Sequence, residues 1–273
     1  MTRHAAVLGS PIAHSLSPVL HRAAYAALGL TAWTYDAHEV DEASLPDFLS
    51  GLDASWAGLS LTMPLKRAII PLLDEVTPTA RAVEAVNTVL LAPNGSRQGT
   101  NTDVPGLVNA LAEGGVTDAA SAAVLGAGAT ASSALSALSG IAKAEVEVYI
   151  RNHARDTEVH AIADAVGTAV RIRDWTEAAA AFDCELVIGT TPVGATDDLA
   201  ESVPTAPGTL FDVLYHPWPT PLAAAWADRG GAVLGGLDLL VHQAVLQVEL
   251  MTGRAPAPLA AMRAAGEAAL AGR

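Results

Sequence analysis

The chain has 273 residues, of which 51% are hydrophobic and 16% charged, which excludes an intrinsically disordered protein and predicts one or two globular domains. Its formal net charge of −14 argues against nucleic acid or an anionic membrane as a partner, because both are bound by basic surfaces. Cys184 is the single cysteine, so no intramolecular disulfide forms, and we expect a buried thiol.

The distribution of apolar residues predicts a cytoplasmic protein that does not contact a membrane. The apolar run after Arg3 is broken by Gly9 and Pro11, so we expect no signal peptide. The most apolar later stretch, 234–251, carries three ionisable residues, which is not typical of a spanning helix.

The N-terminal part alternates short strands with helices, as a small α/β domain does. Ser17 followed by Pro18 predicts a helix start, with serine as the N-cap and proline in the first helical position. An Asn94-Gly95 turn predicts a hairpin. The expected elements are strands over 4–8, 33–40 and 56–63, helices over 17–28, 41–49 and from Pro64, and paired strands over 86–91 and 98–102.

The C-terminal part repeats the alternation and ends in helices. A helix over 104–114 links the two parts. Six strands then follow, the number in a doubly wound dinucleotide fold. The expected strands cover 122–125, 146–150, 169–172, 186–189, 209–214 and 232–234, and the expected helices 131–138, 156–166, 222–228, 237–251 and 259–270.

One glycine-rich loop gives the strongest chemical signal. Gly126-Ala-Gly-Ala-Thr-Ala131 is G-x-G-x-x-A between a predicted strand and a predicted helix. Gly126 permits the tight turn, Gly128 lets the backbone approach a pyrophosphate, and Ala131 lets the helix pack close to the strand. The helix N-terminus then offers unpaired N–H groups to phosphates. The alternative is an ordinary glycine-rich turn.

The residues after the second strand of this fold favour NADP over NAD. An NAD-specific fold usually has Asp or Glu there for the ribose 2′-hydroxyl, whereas a 2′-phosphate needs arginine. Here Arg151-Asn-His153 and Arg155 stand in that place without a carboxylate. Both arginines could instead be solvated surface charges.

Lys66 and Asp103 are candidates for proton transfer. Lys66 lies in the first turn of a helix, where the helix dipole disfavours an ammonium unless a carboxylate compensates, and such a lysine can act as acid or base. Asp103 precedes a helix and could equally be an N-cap. His14, His153 and His242 compete for the same role. No spacing among the histidines is typical of a metal site, so we expect no metal.

Eight segments together resemble the shikimate dehydrogenase family, in the family's order and over nearly the whole chain. They are Gly9-Ser-Pro-Ile-Ala-His-Ser-Leu-Ser-Pro18 with His21, Gly58-Leu-Ser-Leu-Thr-Met-Pro-Leu-Lys66, Ala85-Val-Asn-Thr88, Gly99-Thr-Asn-Thr-Asp103 with Gly106, the Gly126 loop, Thr190-Thr-Pro192, Phe211-Asp-Val-Leu-Tyr215 with Thr220-Pro221, and Gly236-Leu-Asp-Leu-Leu-Val-His-Gln243.

The resemblance implies an α/β protein of two domains. Residues 1–103, completed by helices from about 237–273, would form an α/β substrate domain, and 104–236 a Rossmann-type doubly wound parallel sheet that binds NADP. The reaction would be reversible reduction of 3-dehydroshikimate to shikimate by NADPH, a step of chorismate and aromatic amino acid biosynthesis.

The resemblance also implies roles for individual residues. Lys66 would be the acid–base residue, paired with Asp103. Substrate contacts would come from Ser15, Ser17, Thr62, Asn87, Asp103, Tyr215 and Gln243. Cofactor contacts would come from Gly126, Ala127, Gly128, Ala129, Thr130, Arg151, Asn152, His153, Arg155, Thr190, Val213 and Gly236.

Three departures from the family pattern bear on these roles. Ser60 stands where the family often has asparagine, Ala129 stands where a third glycine is common, and Arg151-Asn-His153 replaces Asn-Arg-Thr. The last departure puts the individual 2′-phosphate contacts in question.

Other functions stay open. They are a quinate/shikimate dehydrogenase using NAD, a non-catalytic NADP-binding regulator on the same fold, and, more remotely, a hydrolase. We expect a small-molecule substrate and a monomer or homodimer.

Overall fold

The computed structural model describes residues 2–272, which form two compact units. The first unit runs to Gly106 and resumes at Leu240, and the second unit comprises Leu107–Leu239. Each division lies three residues beyond the expected boundary, at 106 against 103 and at 239 against 236. Among the described residues, no helix combines the length and the apolar character needed to cross a membrane.

The first unit contains one mixed sheet with helices around it. Its strands are β1 (Arg3–Gly9), β2 (Trp33–Glu39), β3 (Trp56–Leu61), β4 (Glu75–Val76), β5 (Thr88–Leu91) and β6 (Arg97–Thr100). Its N-terminal helices are α1 (Ser17–Ala27), α2 (Leu45–Ser50), α3 (Leu65–Ala68) and α4 (Pro78–Ala82). A short 3₁₀ helix follows α3 at Ile70–Leu72.

The strand order in this sheet is β2-β1-β3-β5-β6-β4. β1 pairs in parallel with β2 and β3, whereas β5 and β6 form the antiparallel hairpin predicted from Asn94-Gly95. Gly95 has a φ of +87°, which suits glycine in the turn. Because β5 runs against β3, the start of β5 lies beside the end of β3.

The second unit is a six-stranded parallel sheet in the order β12-β11-β10-β7-β8-β9. This is the strand order of the doubly wound dinucleotide fold, so the prediction of that fold is confirmed. The strands are β7 (Ala122–Leu125), β8 (Val146–Ile150), β9 (Val170–Asp174), β10 (Leu186–Gly189), β11 (Thr209–Asp212) and β12 (Ala232–Gly235). The helices with them are α5 (Asp103–Glu113), α6 (Ala129–Leu138), α7 (Asp156–Val166) and α8 (Pro221–Asp228). Short 3₁₀ helices lie at His153–Arg155, Trp175–Asp183 and Asp197–Ser202.

The central strands β7 and β10 are buried on both faces, which explains why they are apolar runs without alternation. Along β7, Ala122 and Val124 pack into one core, and Ala123 and Leu125 pack into the core on the opposite face. Cys184 lies in the second core, so the expected buried thiol is confirmed.

The last two helices are α9 (Gly236–Thr252) and α10 (Leu259–Ala271). The division between the units falls inside α5 and inside α9. α10 packs against α1, so the chain end returns to the first unit, as the resemblance implied.

Several local predictions were wrong. Ser17 is the first helical residue and not the N-cap, which is Leu16, and no side chain caps α1. The helix expected over 41–49 begins only at Leu45, after a turn in which Asp41 and Ser44 bond each other. β4, α4 and the 3₁₀ helices were not predicted, because such short segments carry little periodicity.

A buried histidine marks the core beneath α1. The imidazole of His21 is fully buried and stacks on Tyr35 with 3.8 Å between ring centroids. Burial lowers the pKa of His21 to about 3, because the cation would lose its hydration, and the hydrogen bond to Gln247 opposes this only in part.

Because of His21, the free energy of unfolding should decrease as the pH falls. The unfolded chain takes up a proton on this imidazole as pH falls through 6.5, whereas the folded protein does not until pH nears 3. We expect wild type to lose about 1.4 kcal/mol of unfolding free energy per pH unit below 6.5 relative to His21→Phe. Urea unfolding between pH 7 and about pH 4.5 measures the difference.

The same substitution at exposed His160 is the matched control, and its pH dependence should follow wild type. Parallel curves for wild type and His21→Phe would show that His21 is not kept neutral by the fold.

Candidate active site

The first unit brings polar residues from distant segments to one edge of its sheet. Thr62 and Lys66 follow β3, and Asp103 lies just beyond the end of β6. Asn87 comes directly before β5, and its carbonyl accepts a hydrogen bond from the Leu61 N–H at 2.8 Å. The antiparallel hairpin is therefore what places Asn87 and Asp103 beside the end of β3.

Lys66 and Asp103 form an ion pair at this edge. The Nζ of Lys66 lies 2.7 Å from Oδ2 of Asp103, and the two side chains are 16% and 9% exposed. The carboxylate thus compensates the charge of the ammonium in the one-turn helix α3. The sequence could not show whether such a carboxylate is present. A lysine held at a partly enclosed carboxylate can donate or accept a proton at a bound hydroxyl or carbonyl group.

Asp103 is free for this pairing because another side chain serves the start of α5. Oδ1 of Asn101 accepts the hydrogen bond from the backbone N–H of Val104 at 3.0 Å. The alternative reading of Asp103 as a helix cap is therefore wrong, and the cap role belongs to Asn101.

Asn87 holds the second oxygen of the same carboxylate. Its Nδ2 donates to Oδ1 of Asp103 at 2.8 Å, and its Oδ1 accepts from the backbone N–H of Thr102 at 2.8 Å. Gln243 is adjacent, with its Oε1 3.4 Å from Nδ2 of Asn87 and its Nε2 donating to the Leu240 carbonyl at 2.8 Å. Lys66, Asn87, Asp103 and Gln243 are therefore brought together, as the resemblance implied.

The remaining candidates of the first unit lie in the loops after β1 and β3. Ser15 is half-buried, and its Oγ accepts a hydrogen bond from the Ser17 N–H at 3.3 Å. Ser17 is buried at the start of α1. Thr62 lies against Gly9, where a side chain on Gly9 would collide with the threonine methyl group.

Sequence reasoning missed two residues behind this cluster. Gln247 donates to Oγ1 of Thr88 at 2.9 Å, and Thr88 in turn donates to Oδ1 of Asn87 at 2.9 Å. A signal was available, because Gln247 is four residues after Gln243 and therefore lies on the same face of α9. Ser60, the departure from the family pattern, bonds Gln247 as well, at 2.8 Å.

The glycine loop of the second unit has the geometry expected of a phosphate-binding turn. Gly126 has a φ of +112°, and a Cβ there would lie 2.7 Å from Oγ1 of Thr190, so glycine is required. Gly128 is the N-cap of α6, with open space where a Cβ would be and no capping side chain. The first N–H groups of α6 are therefore available to an anion.

The loop side chains around these glycines are small. Ala127, Ala129 and Thr130 complete the turn into α6, and Ala131 is buried against the sheet. The replacement of a third glycine by Ala129 is tolerated because this residue already has helical conformation.

The basic residues after β8 have carboxylate neighbours that the sequence did not suggest. Oε1 of Glu158 accepts from Arg155 at 2.7 Å. His153 lies between Asp156, at 3.1 Å, and Asp174, at 3.0 Å, and these two carboxylates raise its pKa above the usual value. Asn152 caps the following 3₁₀ turn by accepting from the Ala154 N–H.

Arg151 differs from its neighbours. Its guanidinium lies over the Trp175 ring, 5.5 Å from the ring centroid, and it has no carboxylate partner among residues 2–272. It is exposed, so its charge is directed to solvent and not to a buried partner.

Four further candidates lie at the ends of strands in the second unit. Thr190 follows β10 and donates to the Leu125 carbonyl at 2.8 Å. Gly236 approaches the backbone of Val213 so closely that any side chain would collide with the Val213 carbonyl. Tyr215 follows β11 and is half-buried.

Comparison with known proteins decides the family. The model of the shikimate dehydrogenase substrate binding domain matches residues 7–89, and the model of the shikimate 5′-dehydrogenase C-terminal domain matches residues 236–265. The NADP(+) shikimate dehydrogenase of Oleidesulfovibrio alaskensis is 38% identical over 91% of this chain and 89% of its own length. The chain belongs to the shikimate dehydrogenase family.

Solved structures of the shikimate dehydrogenase family agree in fold. The Mycobacterium tuberculosis shikimate dehydrogenase is 41% identical, with a TM-score of 0.89 over 97% of this chain and 99% of that one. The Thermus thermophilus enzyme in complex with NADP(H) and shikimate is 34% identical, with a TM-score of 0.85 over 98% and 100% of the two chains. A quinate dehydrogenase from Corynebacterium glutamicum in complex with NAD has a TM-score of 0.85 at 26% identity, over 98% and 99%.

The ion pair of Lys66 and Asp103 should be strongly coupled. Removing one partner leaves a largely buried charge, so the double mutant Lys66→Met/Asp103→Asn should be less destabilised than the two single mutants predict together. We expect a coupling energy of about 2 kcal/mol in urea unfolding.

Lys143 and Asp118 provide the comparison, because their side chains are 63% and 58% exposed at 2.6 Å separation. The corresponding double-mutant cycle for Lys143 and Asp118 should give a coupling energy of less than about 1 kcal/mol. Equal coupling in the two pairs would mean that the site pair is as solvated as a surface pair.

Proposed function

We propose that this chain catalyses the reversible NADPH-dependent reduction of 3-dehydroshikimate to shikimate, a step towards chorismate and the aromatic amino acids. The observation that carries the proposal is the enclosed Lys66–Asp103 pair, with both carboxylate oxygens occupied, in a chain of this family. The chain is then an NADP-dependent oxidoreductase acting on a secondary alcohol.

Lys66 is the proposed proton donor for reduction. As the carbonyl oxygen of the substrate gains negative charge, the ammonium stabilises that charge and then transfers its proton. In the oxidation of shikimate the neutral amine takes the proton back. Asp103 accepts a hydrogen bond from the reacting hydroxyl group and balances the lysine charge.

The other polar residues of the first unit are proposed to orient the substrate. Ser15 and Ser17 donate hydroxyl protons to the substrate carboxylate, which suits their place at the start of α1. Thr62, Asn87 and Gln243 bind ring hydroxyl groups. Tyr215, from the second unit, is proposed as a further substrate contact.

The second unit has groups that fit NADP. The open space at Gly128 and the uncapped start of α6 suit the pyrophosphate, with Ala127, Ala129 and Thr130 as backbone neighbours. Thr190, Val213 and Gly236 are proposed to line the nicotinamide half of the cofactor. When bound, NADPH supplies the hydride that reduces the substrate carbonyl carbon.

Arg151, Asn152, His153 and Arg155 are proposed to bind the 2′-phosphate. Arg151 offers a charge without a carboxylate partner among residues 2–272, and the raised pKa of His153 favours its cationic form. Both favour a phosphate over a ribose hydroxyl.

The main alternative is a quinate/shikimate dehydrogenase that uses NAD. It is favoured by the structural similarity to a quinate dehydrogenase bound to NAD, and disfavoured by the arginines after β8. A non-catalytic NADP-binding regulator would be expected to have lost Lys66 or Asp103, and this chain has both. The oligomeric state proposed is a monomer or homodimer.

Lys66→Ala tests the proposed acid–base role. With purified protein, shikimate and NADP, we expect rapid appearance of NADPH in wild type and a kcat lower by about a hundred-fold or more in the variant. KM for shikimate should change far less, because Lys66 acts mainly on the transition state. Quinate and NAD are assayed in parallel.

Lys143, the only other lysine, supplies the control substitution Lys143→Ala, which should leave both constants unchanged. A raised KM with normal kcat in Lys66→Ala would make Lys66 a binding residue. Turnover mainly with quinate or NAD would favour the alternative enzyme, and NADP binding without any turnover would favour the regulator.

His153 predicts a pH-dependent preference for NADP. The raised pKa means that the imidazolium persists above the usual range and is lost as pH rises through the shifted value. KM for NADP should therefore rise several-fold as the pH is raised and the imidazolium loses its proton, while KM for NAD stays level. His153→Gln should remove this dependence.

His160→Gln, on an exposed turn of α7, serves as the comparison and should titrate like wild type. An NADP KM that rises identically in His153→Gln would exclude His153 from the phosphate site.

A further inference from the structure

A continuous chain of buried hydrogen bonds connects the core of the first unit to the Lys66–Asp103 pair. It begins at Tyr35, whose hydroxyl donates to Oγ of Ser60 at 2.6 Å, and Ser60 donates to Oε1 of Gln247 at 2.8 Å. Gln247 then donates to Thr88, and Thr88 to Asn87, which holds Asp103. Ser60, Asn87, Thr88 and Gln247 are all buried, with at most 3% exposure.

The direction of each bond follows from one group with fixed polarity. The backbone carbonyl of Asn87 can only accept, and it lies 3.2 Å from Nε2 of Gln247. The amide nitrogen of Gln247 therefore faces Asn87 and Thr88. Its oxygen faces Ser60 and Nε2 of His21, which is 3.3 Å away. This requires the neutral Nε2–H form of His21.

The orientation of the Gln247 amide also determines the orientation of the Asn87 amide. Since Oγ1 of Thr88 accepts from Gln247, its own proton is directed to Oδ1 of Asn87 at 2.9 Å. With the oxygen so held, Nδ2 of Asn87 must face the carboxylate of Asp103 as a donor. A flipped amide would place two acceptor oxygens against each other at 2.8 Å, which is repulsive.

We propose that Gln247 is a positioning residue: acting through Thr88, it fixes the amide of Asn87 as a donor to Asp103 and so keeps the carboxylate in place for Lys66. This inference rests on the proposed function of the Lys66–Asp103 pair. Tyr35 donates to Ser60, and Ser60 donates to Gln247. The serine that departs from the family pattern is therefore part of this hydrogen-bond chain, and we do not assign it a contact with the substrate.

The size of the effect is limited by two further donors, both from Thr102. Its backbone N–H bonds Oδ1 of Asn87 at 2.8 Å and its hydroxyl group does so at 3.2 Å, so loss of the Thr88 bond weakens the orientation of the amide without abolishing it. We expect a fall in kcat of about ten-fold, in keeping with one hydrogen bond near a charged group.

Thr88→Val is the first test, because it keeps the shape and removes only the hydroxyl group. We expect kcat to fall about ten-fold and KM for NADP to stay level, since the Asn87 amide loses one of its hydrogen bonds and holds the Asp103 carboxylate less firmly. Thr88→Ser restores the hydroxyl and should restore kcat to within about three-fold of wild type.

Gln247→Met gives an independent test if Thr88→Val does not fold. It keeps the length of the side chain and removes every bond to the network, and it should lower kcat as Thr88→Val does. Gln98→Met, at the remaining glutamine, which is exposed on β6, should leave kcat unchanged.

A readout without turnover separates this inference from the proposed function. In apo protein labelled with ¹⁵N, the side-chain amide protons of Asn87, assigned with Asn87→Asp, should exchange with water faster in Thr88→Val than in wild type or Thr88→Ser, because the amide is held less firmly. If wild type has no shikimate activity but this faster exchange is seen, the network stands and the proposed function fails. If wild type is active and neither kcat nor the Asn87 amide exchange changes in Thr88→Val and Gln247→Met, the inference is overturned.

Discussion

The first unit depends on one carboxylate that has two donors. The Asp103 side chain is 9% exposed, and a charge so far withdrawn from water is stable only when its oxygens are hydrogen-bonded. Lys66 serves one oxygen and Asn87 the other. Lys66 follows β3, and Asn87 and Asp103 flank the β5–β6 hairpin, so the carboxylate ties together three segments of the sheet edge. The same bonds that stabilise this edge therefore also hold the two groups for which we propose the proton transfer.

The sequence could predict the elements around this carboxylate but not its role. The Asn94-Gly95 turn predicted the hairpin, and Pro64 predicted the helix that carries Lys66, because both are local signals. Whether Asp103 caps a helix or pairs with a lysine depends on which neighbour reaches the first turn of α5, and there Asn101 does so. The sequence indicates only that Gln247 lies on the same face of α9 as Gln243. Its hydrogen-bond partners could not be predicted, because they lie far away in the sequence: Thr88, for example, is 159 residues earlier.

The second unit was more predictable, for a physical reason. Its central strands β7 and β10 are buried on both faces, so each is a short apolar run between turn residues, and the glycine loop directly follows β7. What the sequence could not predict is which residues of neighbouring strands lie side by side. β8 indeed ends without a carboxylate, but the parallel register pairs Ile150 with Asp174 at the end of β9. An acidic side chain thus reaches the strand end from the neighbouring strand, where a search along β8 alone could not find it.

An acidic protein that binds an anionic cofactor must concentrate its positive charge. Arg155 and His153 are each matched by carboxylates, which hold them in place but leave little net positive potential for a 2′-phosphate. Arg151 is held by an aromatic ring, which orients the guanidinium without neutralising it. If these residues bind the phosphate, Arg151 supplies most of the uncompensated charge, and His153 adds a charge that varies with pH. Affinity and its pH dependence would then reside in different side chains of one loop.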